Sequence, residues 1–297
     1  MSIEVSNLEV VYQGKAVVDD VSFQINDDEC FGLIGPNGAG KTTIIECVEG
    51  IRNNYKKGKI SVLGKNPKTQ RKDISKLIGI QLQESNYQDK LKVREICTLI
   101  SSFYSNSANY EELLGEFNLL EHKDKYITRL SGGLKQRLSI VLALIPNPKI
   151  IFLDELTTGL DPEARIMIWD YIKKLKEKHI SIFMTTHYLE EAEHLCDKVG
   201  ILYGGKMLIL DTPQNIIKSA GITKTIFIDA ECFPTIKEKD IEGLSYEKDG
   251  NKMKMRVSDE QFSNLISVLA ANNIVFTITD PNLEAAYFAI IEGRNGK

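Results

Sequence analysis

Gly35-Pro36-Asn37-Gly38-Ala39-Gly40-Lys41-Thr42 stands between the apolar run Cys30 to Ile34 and the helical pattern Thr42 to Val48. A strand that breaks into a glycine loop and resumes as a helix constrains the fold strongly. It belongs to an α/β sheet that takes its ligand at the carboxyl ends of the strands. Backbone N–H groups converge on phosphate oxygens only where no Cβ intervenes, and Gly35, Gly38 and Gly40 supply that access. The intervening Pro36, Asn37 and Ala39 and the following Thr43 are counted with this binding loop. The helix that starts near Lys41 adds its positive dipole end, Lys41 is placed to reach the β- and γ-phosphates, and the Thr42 hydroxyl is placed to ligate Mg²⁺. Alone, the loop establishes only the binding of a nucleotide's phosphates.

Two more motifs narrow the class. The apolar run Ile150 to Leu153 ends in Asp154-Glu155, and two carboxylates at a buried strand end are costly unless something compensates them. A magnesium ion and an attacking water would do so, with Asp154 holding the metal and Glu155 orienting or deprotonating the water. Between the loop and this pair lies Leu130-Ser131-Gly132-Gly133, followed by Leu134-Lys135-Gln136-Arg137, 90 residues after Lys41 and 23 before Asp154. Ser131 reads as the N-cap of a helix running to about Ile145, stopped by Pro146 and Pro148. Gly132 and Gly133 let backbone approach a ligand at that helix N-terminus, which makes a second anion site.

Loop, signature and acidic strand in this order resemble the nucleotide-binding subunit of ATP-binding-cassette (ABC) transporters, over about residues 3 to 220. The resemblance implies ATP and Mg²⁺ as ligands, ATP hydrolysis, and a head-to-tail dimer with a second nucleotide-binding subunit, a homodimer being expected. In such a dimer Ser131, Gly132 and Gly133 of one subunit cover the γ-phosphate held by the other's glycine loop. An integral membrane permease would be a separate chain. Tyr12 falls where an aromatic residue stacks on adenine, a core or edge-strand tyrosine being the rival reading. Gln83 best matches the family's magnesium- and water-sensing glutamine, with Gln81 as the alternative. Gly159-Leu160-Asp161 matches the loop that crosses the dimer, and Asp161 before Pro162 is also an N-cap. His187 stands 33 residues after Asp154 and just beyond the run Ile180 to Met184, and it aligns with the histidine that contacts γ-phosphate. Two departures bear on rate rather than on reaction type: Leu134 replaces a common glutamine, and Leu156 replaces the proline usual after the base.

The expected architecture is an α/β P-loop ATPase core, a mixed sheet with helices on both faces and an N-terminal antiparallel β subdomain. A helical subdomain at about 85–144 is inserted, and a small α+β accessory domain at 221–297 follows the ATP-binding domain at 1–220. Glu4 to Tyr12 and Ala16 to Ile25 read as a hairpin around Gln13-Gly14-Lys15. Ile96, Leu99, Ile100 and Phe103 repeat at helical spacing and predict one buried helix face. In the tail, Ser258 with Gln261 reads as a capping box and Asp280-Pro281 as the opening of a last helix.

Composition excludes several alternatives. The net charge of −4 carries no basic field for nucleic acid, and Glu177 interrupts the lysines at 173, 174, 176 and 178, which read as a solvated helix face. Five scattered cysteines without a Cys-x-x-Cys argue against disulfides and structural zinc. The amino terminus lacks a signal-peptide pattern, and no apolar run approaches the roughly 18 residues of a bilayer span. A cytoplasmic protein is therefore expected, and the resemblance implies that it is peripheral on the inner face of the cell membrane. The rival class is a soluble ABC ATPase of DNA repair, chromosome organisation or translation. The short interval between loop and signature holds no sustained heptads, and the chain carries one cassette where translation factors carry two. A generic phosphate-loop kinase or GTPase leaves the signature and His187 unexplained. The tail Asp280 to Phe288 is similar to the endings of exporter-type cassettes, so export is the expected direction.

Overall fold

Alternating burial along Ile3–Tyr12 (β1) and Lys15–Ile25 (β2) makes a half-covered antiparallel pair, with Ile3 opposite Ile25 and Tyr12 opposite Lys15. Cys30–Ile34 (β3) is apolar and buried at every position, the pattern of a strand covered on both faces. Lys41–Val48 (α1) follows the glycine loop, and Lys57–Val62 (β4) returns to pair with β1, giving a three-stranded sheet in the order β2-β1-β4. Sequence spacing does not reveal this pairing, which joins residues as distant as Glu9 with Lys57 and Ile3 with Val62. The computed structural model describes residues 1–81, 90–221, 224–236 and 241–295.

A short helix, Arg71–Ile74 (α2), leads to Ile78–Gln81 (β5). Three helices then intervene, Val93–Ser102 (α3), Tyr110–Glu116 (α4) and Gly132–Leu144 (α5), before Ile150–Asp154 (β6) re-enters the core. Pro162–Glu177 (α6), Ser181–Thr186 (β7), Leu189–Leu195 (α7), Lys198–Tyr203 (β8) and Lys206–Asp211 (β9) complete a six-stranded sheet, ordered β5-β6-β7-β3-β8-β9. β5 through β8 in that order pair in parallel. The loops after β3, β6 and β7 therefore emerge side by side at one edge. The two sheets are joined by aromatic packing: Phe23 of β2 stacks on Phe31 of β3 at 5.1 Å, and both meet Phe183 of β7 edge-on at 5.6 and 5.5 Å.

The helical insertion corrects one expectation. The apolar row on α3 is not a buried face: Leu99 is 49% and Phe103 69% exposed, while Val93 and Cys97 carry the packing. Ile96 and Ile100 instead line a cavity of about 240 Å³ with Ile78, Ile80, Leu142, Ala143 and Pro146. Periodicity detects an apolar face, not what covers it.

The chain forms two compact units, Met1–Leu210 and Asp211–Lys297. The second contains Pro213–Ser219 (α8), Lys224–Asp229 (β10), Ser245–Asp249 (β11), Lys252–Val257 (β12), Asp259–Ala271 (α9), Phe276–Thr279 (β13) and Leu283–Asn295 (α10). Its antiparallel sheet runs β11-β12-β10-β13, with Ile226, Met255, Val257, Leu265 and Leu269 in its own core. The helix α8 falls in this unit because it packs on α10, so the division lies ahead of residue 220. Ser258 and Gln261 form the expected capping box on α9. The last helix is capped by Asn282, whose Oδ1 accepts the Ala285 N–H at 2.9 Å, rather than by Asp280-Pro281.

Candidate functional site

The glycine loop turns on contacts that forbid larger residues. A Cβ on Gly35 would stand 2.2 Å from the Leu202 carbonyl oxygen, and Gly40 holds φ +107° with the Val17 carbonyl 2.7 Å from where its Cβ would be. The loop, Val17 of β2, Thr43 and Glu155 line an open cleft of about 340 Å³. At its floor Lys41 is only 5% exposed, and its ammonium donates to the carbonyls of Gly35 at 2.9 Å and Pro36 at 3.2 Å. The same ammonium lies 3.6 Å from Glu155 Oε1. Thr42 follows Lys41 and aims its hydroxyl at Asp154 Oδ2, 3.4 Å away.

Asp154 closes β6 and is 8% exposed. Burial pushes its carboxyl up; a hydrogen bond donated by the Thr185 hydroxyl opposes this, the Glu155 charge adds to it, and Lys41 opposes it again. Its own N–H donates to Gln81 Oε1 at 3.1 Å, so the end of β5 is tied to the end of β6. Glu155 adopts a left-handed backbone, φ +48°, which costs an ordinary L-residue about 1–2 kcal/mol. The turn is held by β7: the Glu155 N–H donates to the Thr185 carbonyl at 3.1 Å and to its hydroxyl at 3.2 Å. Glu155 Oε2 lies 3.7 Å from Nδ1 of His187, which sits just past β7 against the Tyr188 ring.

Widely separated in sequence, Lys41, Thr42 and Glu155 thus line one cleft, with Asp154 against Thr42 and His187 against Glu155. Gln83 lies outside the described residues. Its alternative, Gln81, is buried and bound to Asp154. Tyr12 is 59% exposed at the end of β1, on the hairpin that also carries Val17. The signature does not line this cleft. Ser131 caps α5 by accepting the Leu134 N–H at 3.4 Å, and Gly132 beside it is exposed. Asp161 caps α6, its Oδ1 accepting the Ala164 N–H at 2.8 Å.

Two contacts escaped sequence reading. Gln136 of α5 donates its amide to the Leu156 carbonyl, joining the signature helix to the loop behind Glu155. Thr185 serves both Asp154 and the Glu155 N–H. The hydroxyl at the end of β7 was visible as Thr185-Thr186-His187, but its partners lie on another strand.

Residues 18–158 match the family model described as ABC transporter. The chain is 39% identical over 221 residues to the Nod factor export ATP-binding protein I of Rhizobium etli, covering 73% of this chain and 70% of that one. It is 36% identical over 222 residues to the protein of the same name from Burkholderia thailandensis, covering 73% of each. Among solved structures, the ATP-binding subunit of an ABC transporter superposes with a TM-score of 0.67 at 29% identity, over 74% of this chain and 94% of that one. A dimeric bacterial ABC transporter cassette superposes with a TM-score of 0.63 at 22% identity, over 71% and 98%.

Proposed function

Because the chain belongs to the ABC transporter family, as one of its ATP-binding subunits that hydrolyse ATP, we propose the following division of its residues. Gly35 to Thr43 cradle the triphosphate, Lys41 neutralises its β- and γ-oxygens, and Tyr12 stacks on adenine. Thr42 and Asp154 offer a hydroxyl and a carboxylate, the hard oxygen donors that fit Mg²⁺, which when bound neutralises charge on the phosphates. Gln83 is assigned to sense the metal and water. Glu155 acts as general base on the attacking water, and His187 orients the γ-phosphate and that water. The observation that carries this reading is the single carboxylate, Glu155, set between the phosphate-loop lysine at 3.6 Å and the histidine at 3.7 Å.

Ser131, Gly132 and Gly133 take the other role. Ser131 and Gly132 are exposed and Gly133 half-buried at the N-terminus of α5, outside the cleft, so they suit the γ-phosphate of a second subunit, and Asp161 suits the crossing loop. We infer a head-to-tail homodimer with two ATP between the subunits. Among the described residues no helix is long and apolar enough to cross a membrane. A separate integral membrane permease, met by this chain on the cytoplasmic face, is the proposed partner, and the exposed Leu99 and Phe103 with the cavity under Ile96 and Ile100 suit an apolar helix of that permease. Export is the proposed direction, in keeping with the export named for the relatives.

Glu155→Gln tests the base directly. ATP binding is expected to persist while turnover is lost and an ATP-bound dimer accumulates in size-exclusion chromatography. Normal ATPase activity in this variant would reject the assignment.

A further inference from the structure

Glu191 on α7 is fully buried and takes no part in the chemistry above. Its Oε1 accepts the indole N–H of Trp169 on α6 at 3.3 Å. Its Oε2 has no well-formed hydrogen bond, and neither does the equally buried hydroxyl of Thr157. Burial raises this carboxyl; the hydroxyls of Thr186 and Thr157, the Trp169 N–H and the Arg165 charge pull it back down, so those groups face it. A carboxylate in such a place is a poor device for stability alone, since an apolar side chain of similar volume avoids the desolvation cost.

The two threonines have telling positions. Thr157 lies two residues after Glu155, and Thr186 immediately precedes His187. The Thr186 oxygen already accepts the Tyr188 N–H at 2.9 Å, which leaves its proton to donate. One buried acceptor therefore faces both loops that carry the base and the histidine.

We propose that Glu191 is a positioning residue, which ties the loop of Glu155 to the loop of His187 through the hydroxyls of Thr157 and Thr186. The unpaired Oε2 and Thr157 hydroxyl meet when the loops adopt their hydrolysing arrangement, and the tie keeps His187 and Glu155 in register. This inference rests on the roles given above to Glu155 and His187.

The test measures steady-state ATPase and nucleotide affinity on the full chain. Glu191→Ala is expected to lower kcat about tenfold or more, the scale of a lost hydrogen bond to a charged group, and to leave ATP affinity within about twofold. Glu191→Gln, which keeps one acceptor oxygen, should lose less. Thr157→Val should lower kcat in the same sense, and the double variant Thr157→Val/Glu191→Ala should lose no more than Glu191→Ala alone. Trp169→Phe, which removes a partner of Glu191 that belongs to neither loop, should keep kcat within about twofold. An unchanged kcat in Thr157→Val, or fully additive losses, would overturn the tie even if Glu191→Ala failed to fold. A fall in kcat with Trp169→Phe equal to that with Thr157→Val would reduce the cluster to packing. Glu155→Gln separates the two ideas: active, it removes the base beneath both; inactive beside normal Glu191 and Thr157 variants, it removes the tie alone.

Discussion

The glycine-loop cleft and the signature end of α5 are both anion sites by residue type, yet they are built differently. At the cleft, a lysine, an aspartate and a glutamine are each less than about a tenth exposed; the loop after β3 holds Lys41 through the Gly35 and Pro36 carbonyls, and Gln81 of β5 and Thr185 of β7 hold Asp154 of β6. At the signature, one serine caps an exposed helix end, and among the described residues no titratable side chain of that turn is buried beside it. A site that does chemistry must hold charge out of water and therefore needs partners from its own chain. A site that only donates N–H groups can wait at the surface for its ligand.

Lys41→Ala should break the furnished half outright. It leaves Asp154 and Glu155 without their cation, and ATPase turnover should fall by more than about a hundredfold with loss of nucleotide affinity, measured by fluorescent-ATP titration. Ser131→Arg should spare nucleotide affinity in the isolated subunit yet abolish turnover, because it blocks only the surface half. Mixing the two inactive variants sharpens the contrast. A head-to-tail dimer of one of each contains one site with both halves intact, so ATPase activity should reappear on mixing; if it does not, the halves do not meet across subunits.

A smaller effect follows from the electrostatic load of the furnished half. Glu49, at the end of α1, has its carboxyl pushed up to about 8 by burial first, then by Asp154 and Glu46, with Arg71 opposing. The folded protein therefore keeps a proton that the unfolded chain releases near 4.5, so this contribution is full below pH 4.5 and is lost as pH rises to about 8. Glu49→Gln should remove a stability decline on the order of a few kcal/mol between pH 5 and 8 in denaturant titrations of the nucleotide-free protein. An identical decline in the variant would contradict the buried, protonated state. Ser131→Ala should cost the signature helix about 1 kcal/mol of stability through its lost cap, read as a modest shift in denaturation midpoint. The smallest effect is expected at the second unit: truncation after Asp211, which removes α8 together with its partner α10, should leave ATP affinity within about twofold.

Much of the site was legible because its chemistry is local. Gly35 to Thr42, Ser131 to Gly133 and Asp154-Glu155 each need particular residue types in unbroken order, and a strand or helix boundary adjoins each. The edges of the sheet were not legible. β5 has only four residues, too few for alternation or an apolar run to develop, and β9 is at most half-buried and shows no alternation. The face of α3 misled for the opposite reason: its periodicity is clear, but burial depends on a partner surface that spacing cannot reveal.

The order of residues carries an inventory: a phosphate loop after a strand, a capped glycine signature, an acidic strand end and a histidine beyond another strand. Which of these face each other is settled by the packing of the strands. Strand order puts β7 between β6 and β3, so Thr185 can grip Asp154, Glu155 can stand between Lys41 and His187, and the signature is left outside. The physical reason is that parallel pairing joins residues more than thirty positions apart, and the energy that selects those pairs is the burial of side chains such as Phe31, Phe152 and Phe183 against one another.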